Sequence, residues 1–395
     1  MTRIKRVYIT LLCAVSVLPV FAHDGLKDKT PFAIIHYGCH GASYLNRPSN
    51  YDAPCRVMER ADSLGMLTPL GQDVLGRLRL IQRDAYNRWG ELTEMGALQQ
   101  KEIARRMMER FPEVLNKDAS HIGARSLRNT RCMLSMEQLM VELSRVCRIR
   151  VYHNASNAFA FYLNTQDEGR LAVHKDSMAK AAYDAFSRRY GDDDRLAKTL
   201  FTDSDYIHSQ VDVQMLNDQL FKLAGSIQKT GLEGKVTLYD LFTEEETNHQ
   251  RKKQNAWSYL NFGGKVRTPL AHQLLRRLIH FTDTAQTFRQ SAVFHIADET
   301  SFIPLVCLLD INGCGLETDD LESLKEMGWD SERICPASAN LQWVLYRKNP
   351  KDRDVWIKVL LNEREASLPL PSEHAPYYRL RDFQDYYLKK LNGYE

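Results

Sequence analysis

The chain has 395 residues, 44% hydrophobic and 26% charged, with a formal charge of +3. Those totals suit a globular protein with a large core, in one large domain or two ordinary ones. They exclude a nucleic-acid surface, because Arg3, Lys5 and Arg6 carry the whole excess and loss of the first 22 residues brings the charge to zero.

Those 22 residues read as a signal peptide. "MTRIKR" is basic, "VYITLLCAVSVLPV" is a short apolar run, and "VFA" before His23 suits cleavage after Ala22. The run is too short to span a bilayer, and no later segment approaches the ~20 apolar residues a span requires. The expectation is a secreted or periplasmic protein with no membrane span. Seven cysteines remain after cleavage, so an oxidising compartment leaves at least one free thiol. Cys39–Cys55 and Cys307–Cys314 are candidate bridges, and the lack of a C-x-x-C pair argues against a cysteine zinc site.

"PFAIIHYG" (31–38) predicts a buried strand stopped by glycine. Residues 91–111 predict a helix, with Ile103, Met107 and Phe111 four apart and Pro112 closing it. Residues 130–146 predict a second amphipathic helix, and "RIRVYHN" alternates like a strand. From 155 to 285 the chain is polar and helical. Strands return at 291–298, 341–348 and 354–362, rich in Val, Ile, Trp and Tyr. The aromatic, charged tail predicts a docking helix. This order predicts an α/β domain (23–154 and 286–395) split by an all-helical cap (155–285).

Ligands of α/β sheets sit at the carboxyl ends of strands. Two such ends carry polar clusters: His36, Cys39, His40 and Ser43 after the first strand, and Asp298 and Glu299 after "SAVFHIA". A histidine facing carboxylates is the inventory of nucleophilic and general-acid catalysis. Adjacent strand residues point to opposite faces, so one of Asp298 and Glu299 is expected in the pocket. The plainer roles for them are loop or helix-capping acids. Arg131 opens its helix and could bring charge to an anion, against the plainer reading of a surface ion pair. Arg125 and Arg128 lie close by in sequence. Cys39 lacks the Cys-x5-Arg spacing of a phosphate loop, since Arg47 gives Cys-x7-Arg, and reads as a buried thiol. His36, Cys39 and His40 converge poorly for a metal.

The ordered stretches "HYGCHGASYL", "GELTEMGALQQKEIARRM", "ARSLRNTRCMLSMEQLM", "LYDLFTEEE", "QNAWSYLNFG", "ADETSFIPLVCLL" and "ANLQWVLYRKN" resemble the histidine acid phosphatases of the second clade, in the multiple inositol polyphosphate phosphatase and phytase branch. The resemblance covers nearly the whole mature chain. It implies a three-layer α/β domain with an inserted all-helical cap, and phosphomonoester hydrolysis through a phosphohistidine without metal or cofactor. It places the nucleophile at His40 and a phosphate-binding arginine at Arg131. It puts Asp298 where the family has a phosphate-contacting histidine, and Glu299 at the proton donor. The family signature Arg-His-Gly-x-Arg stands here as Cys39-His40-Gly41-Ala42-Ser43, so both signature arginines are replaced.

Losing one charged donor of this kind typically lowers a rate by ~10²–10³. The substitutions leave two main readings. One is a phosphatase of strongly lowered rate acting on an inositol-phosphate-like small molecule, with Cys39, Ser43, Arg125 and Arg131 around the phosphate. The other is an inactive pseudophosphatase whose cleft binds a replacement ligand or a protein. A third, lesser reading is new chemistry at Cys39 and His40. Charge separates the first two: a phosphatase cleft collects Arg and cap lysines around His40, whereas a repurposed cleft is neutral or acidic.

Overall fold

The computed structural model describes residues 26, 28–115, 121–146, 150–163, 169–190, 194–287 and 290–393. The expected signal peptide and Cys147 lie outside them.

The strands are β1 (Thr30–Cys39), β2 (His121–Ser126), β3 (Arg150–Asn154), β4 (Gln290–Ala297), β5 (Asn340–Arg347), β6 (Trp356–Leu361), β7 (Arg364–Glu365) and β8 (Tyr377–Arg379). They form one mixed sheet of order β3-β2-β4-β1-β5-β6-β7, with β8 also pairing β6. The first four neighbours run parallel; β5 lies antiparallel to β1, and β6 antiparallel to β5. The central strand β1 is therefore buried on both edges as well as both faces, which is why it reads as an unbroken apolar run.

Alternation along β1 builds two cores. Ala33, Ile35 and Tyr37 face the helices His272–Thr287, Glu299–Leu309 and Leu380–Asn392. Ile34 faces the helices Glu94–Arg110 and Thr130–Val146, through Ile103, Met107, Leu139 and Leu143. Truncating a leucine such as Leu139, fully buried here, would cost about 2–5 kcal/mol. The three-layer α/β expectation holds, and the tail helix docks as expected: its Tyr387 hydroxyl donates to the Leu309 carbonyl at 2.7 Å.

The helical layer departs from the expected 155–285 block at both ends. A third core joins Tyr51, Met58, Val74 and Leu78, from helices Ser49–Ser63 and Pro69–Ala85, to Leu200, Leu216, Leu220 and Leu241. The cap is thus assembled from two separate stretches, because the first two helices bury their apolar stripes against it rather than against the sheet. Conversely, His272–Thr287 packs its leucines on β4 and β1. No described helix is long and apolar enough to cross a membrane.

Two histidines sit inside the sheet on neighbouring strands. His36 and His295 are fully buried, and burial pushes both down to about 3, with Arg125 adding to the effect at His295. The ring nitrogens of His36 have no partner among the described residues, and His295 Nδ1 lies 3.3 Å from the His36 carbonyl. Unfolded imidazole takes a proton near pH 6.5; the folded one waits until about 3. Between those values the unfolded chain binds more protons, so stability falls as pH falls, by about 1.4 kcal/mol per pH unit per histidine. Urea midpoints measured from pH 7 to pH 4 should drop accordingly, and His36→Leu should flatten the slope; an unchanged slope would move the acid-sensitive group elsewhere.

Candidate active site

The site begins where β1 ends. The Cys39 N–H donates to the Ala339 carbonyl at 2.7 Å, the His40 N–H to Ala297 at 3.1 Å, and the His40 carbonyl accepts from the Ser338 N–H at 3.2 Å. His40 is therefore pinned between the carboxyl end of β4 and the loop that enters β5. The next two residues are held from the other side. Gly41 N–H donates to Ser135 Oγ and Ala42 N–H to Gln99 Oε1, each at 3.0 Å. The Ala42 carbonyl accepts from both the N–H and the hydroxyl of Thr93, whose Oγ1 in turn caps the helix Glu94–Arg110 through Gly96 N–H. Backbone meets backbone here: a Cβ on Gly41 would lie 2.3 Å from the Gly96 carbonyl oxygen, and one on Gly96 would lie 2.1 Å from that of Ala42.

His40 Nδ1 lies 2.7 Å from the Gly41 carbonyl oxygen. A carbonyl can only accept, so Nδ1 carries the proton, and the neutral ring keeps its lone pair on Nε2. Burial lowers the His40 pKa, helped by Arg131 and opposed by Glu299 and Asp298, which favours that neutral form. Nε2 lies 3.8 Å from Glu299 Oε2. The arrangement offers a nucleophilic nitrogen facing a carboxyl that can give or take a proton.

Of the two acids, Glu299 lines the cleft and Asp298 does not, but strand alternation is not the reason. β4 ends at Ala297; Asp298 is the N-cap and Glu299 the first residue of the helix Glu299–Leu309, so the pleat no longer applies. Glu299 reaches His40, and Asp298 lies 3.8 Å from Arg131 Nη2 while accepting from the Thr300 hydroxyl at 2.5 Å. Burial, then Glu299, raises the Asp298 pKa. Tyr37 anchors this helix to β1 by donating to Ser301 Oγ at 2.6 Å.

Arg131 also meets Asn46, with Nη1 donating to Oδ1 at 3.0 Å, and its Nε has no partner among the described residues. Ser43 lines the cleft while its backbone bridges Leu92. The Cys39 thiol is 5% exposed and 3.5 Å from Cys335 Sγ. Burial, with Cys335 beside it, pushes that thiol well up, so it stays protonated and forms cleft wall rather than a nucleophile. Its sulfur neighbour is thus Cys335, not Cys55, which belongs to the cap core. Cys307 and Cys314 are free thiols in the sheet core.

Arg125 does not reach the cleft. On β2, Ile122 and Ala124 face the helix Thr130–Val146, so Arg125 points to the opposite side, where its guanidinium lies 5.5 Å from the Phe281 ring centre. Arg128 is exposed and also outside the cleft lining. His295 packs beside Phe281 and Tyr162. Among the described residues, no cluster of three His, Cys, Asp or Glu is placed to hold a metal.

The cleft is a cavity of about 570 Å³. Besides His40, Ser43, Arg131 and Glu299, its lining includes Arg47, Asn50, Lys222, Lys229, Glu332 and Cys335. Lys222 Nζ donates to Asn50 Oδ1 at 3.0 Å. Burial, then Arg47, lowers the Lys222 pKa. Sequence reasoning anticipates cap lysines but not which ones. The available signal is Lys222 and Lys229, seven apart along the otherwise apolar stretch "LFKLAGSIQK", a spacing that repeats a helix face. A second hollow of about 610 Å³ lies along the helix Glu244–Phe262, but there Lys252 pairs with Glu322 and His249 with Glu245.

Comparison with solved structures gives the same architecture. The multiple inositol polyphosphate phosphatase of Bifidobacterium longum, solved with inositol hexasulfate, superposes with a TM-score of 0.75 over 90% of this chain and 91% of that one, at 15% identity. The phytase of D. castellii gives 0.65 over 93% and 80%, at 11% identity. The apo phytase of Hafnia alvei gives 0.54 over 92% and 97%, at 13% identity. The fold is that of the inositol polyphosphate phosphatases and phytases. Sequence comparison finds no matching family model and no matching curated protein. The fold is therefore shared with these structures although only 11–15% of residues are identical.

The Gly41–Gly96 contact gives a direct test. Gly96→Ala would place its Cβ against fixed backbone, not a movable side chain. It should destabilise by about 1–3 kcal/mol and loosen the His40 loop. A lowered Tm is the expected result, against Gly76→Ala, where a Cβ meets nothing, as the control.

Proposed function

We propose that this chain is an exported phosphomonoester hydrolase for inositol-polyphosphate-like substrates, working through a phosphohistidine at His40 at a strongly lowered rate. The observation that carries it is the oriented pair in a cationic cleft. His40 presents a lone pair at Nε2 beside Glu299, and Arg47, Arg131, Lys222 and Lys229 line the same cavity against the carboxylates of Glu299 and Glu332. Those cations suit a ligand with several anionic groups. The B. longum neighbour holds inositol hexasulfate.

In this reading Nε2 attacks phosphorus, the ester P–O bond breaks, and the Glu299 carboxyl proton passes to the leaving oxygen. Water then attacks the phosphohistidine as Glu299 takes its proton, releasing inorganic phosphate and restoring His40. Arg131 is the one arginine placed to stabilise charge on the phosphoryl oxygens at this end. Cys39 and Ser43 add no charge, hence the lowered rate.

A second reading has its own support. Asp298 already sits beside Arg131, and Cys39 and Ser43 stand where the resembled signature has arginines. A binding module without turnover fits those losses.

Phosphate release from phytate and p-nitrophenyl phosphate decides between them, with the mature protein beside His40→Ala. His40-dependent release supports the phosphatase, and release no greater than the control supports the binding module. Within the phosphatase reading, replacing Lys222 and Lys229 together by alanine should raise KM about tenfold and leave kcat nearly unchanged, because they act on ligand charge remote from the reacting atoms.

A further inference from the structure

The cleft is lined by charges of both signs. Arg131 lines the cleft and lies 3.8 Å from Asp298, which is buried and is not itself in the lining. Glu299 adds a carboxylate 3.8 Å from His40. Glu332 lines the same cavity from the short helix Ser331–Ile334, which ends at Cys335 beside Cys39. Arg47, Lys222 and Lys229 line the same cavity, and the charge of Arg47 acts on Lys222.

Asp298 is a fixed part of this pattern. It is buried, held by the Thr300 hydroxyl, and set at the N-cap of its helix. At 3.8 Å from Nη2 it supplies charge but no hydrogen bond, and Arg131 Nε has no partner among the described residues. Arg131 therefore meets an incoming oxyanion with its charge already balanced. A dianionic phosphoryl group would meet net negative charge here. A monoanionic one loses that repulsion and gains an O–H to donate to a carboxylate.

Building on the proposed function, we infer that Asp298 fixes the charge of the group reaching His40. The cleft takes that phosphoryl group as its monoanion and holds the ligand's remaining anionic groups at Arg47, Lys222 and Lys229. Asp298 is then a specificity-determining residue. The groups whose charge bears on it are Glu299 on its own helix, Arg131 and Cys132 on Thr130–Val146, and Tyr37, Cys39 and His40 at the end of β1. The thiols and the tyrosine are buried and neutral, leaving Arg131, Glu299 and His40 to act on it.

Two inositol ligands of different charge per group make the test. A sulfate ester is a monoanion, whereas a phosphate monoester with a second pKa near ~6 is mostly a dianion at pH 7.5. Calorimetric titration of the full mature chain uses a His40→Ala background, which removes turnover, with and without Asp298→Asn. Asparagine keeps the shape and can still accept from Thr300.

At pH 7.5 the substitution should tighten inositol hexakisphosphate about tenfold and inositol hexasulfate by less than about threefold. With Asp298 intact, lowering the pH from 7.5 to 5 should tighten the hexakisphosphate more than the hexasulfate. Equal tightening of both ligands, or no change in either, overturns the charge selection alone. Absence of binding for both ligands to both proteins overturns it together with the polyanion cleft.

Discussion

The cleft depends on how the chain leaves the central strand. β1 runs between a parallel neighbour and an antiparallel one, so the residue after it is claimed from both sides: by Ala297 at the end of β4 and by Ser338 in the loop before β5. The turn beyond His40 has room for neither a side chain at Gly41 nor one at Gly96. The outcome is a histidine whose backbone cannot shift and whose ring is oriented by the next carbonyl. Orientation of this kind survives the loss of neighbouring charges because it is made of main chain. The position of His40 therefore does not depend on charge at Cys39 or Ser43.

The charges tell the opposite story. Side-chain charge can be changed without disturbing the backbone, and Arg131 lies 3.8 Å from the carboxylate of Asp298. Asp298 then balances that arginine. Cationic character has not left the cavity; it lies at Arg47, Lys222 and Lys229. Contacts remote from the reacting atoms strengthen ground state and transition state alike, so they can hold a ligand firmly without accelerating anything. A firm ligand and a slow reaction are compatible outcomes of one cleft, and affinity alone says little about turnover here.

Much of this is legible in the sequence. Long signals survive best: the apolar run of β1, the helices over 94–110 and 130–146, and the aromatic strands near the end. The polar clusters at two strand ends also meet, bringing His40, Arg131, Asp298 and Glu299 together. The failures have local reasons. β2 (HIGARS) escapes a sequence reading because it has too few apolar residues to display its alternation. Sequence distance puts Arg125 near the cleft, and the strand phase turns it away. A rule for strands puts one of Asp298 and Glu299 in the cleft; one is there, but they begin a helix. Proximity in sequence suggests Cys55 as the partner of Cys39, but the partner comes from position 335 through β5 pairing, a contact no local pattern announces. The cap's two-stretch core is non-local in the same way.

Two titrating systems in this molecule pull against each other. The buried pair His36 and His295 disfavours acid, since each proton that the unfolded chain accepts below pH ~6.5 weakens the fold. The cleft leans the other way. Acid converts a phosphoryl dianion to a monoanion below pH ~6, and burial with Glu299 beside it makes the Asp298 charge easier to remove. The histidines sit on the central strands, outside the cavity lining, so the protein cannot relieve one demand by altering the other. A change at His36 would leave the charge around Arg131 as it is, and a change at Asp298 would leave the strands' acid sensitivity in place. On the proposed reading, the usable range is bounded below by the sheet and above by the cleft, and each bound rests on different, separable residues.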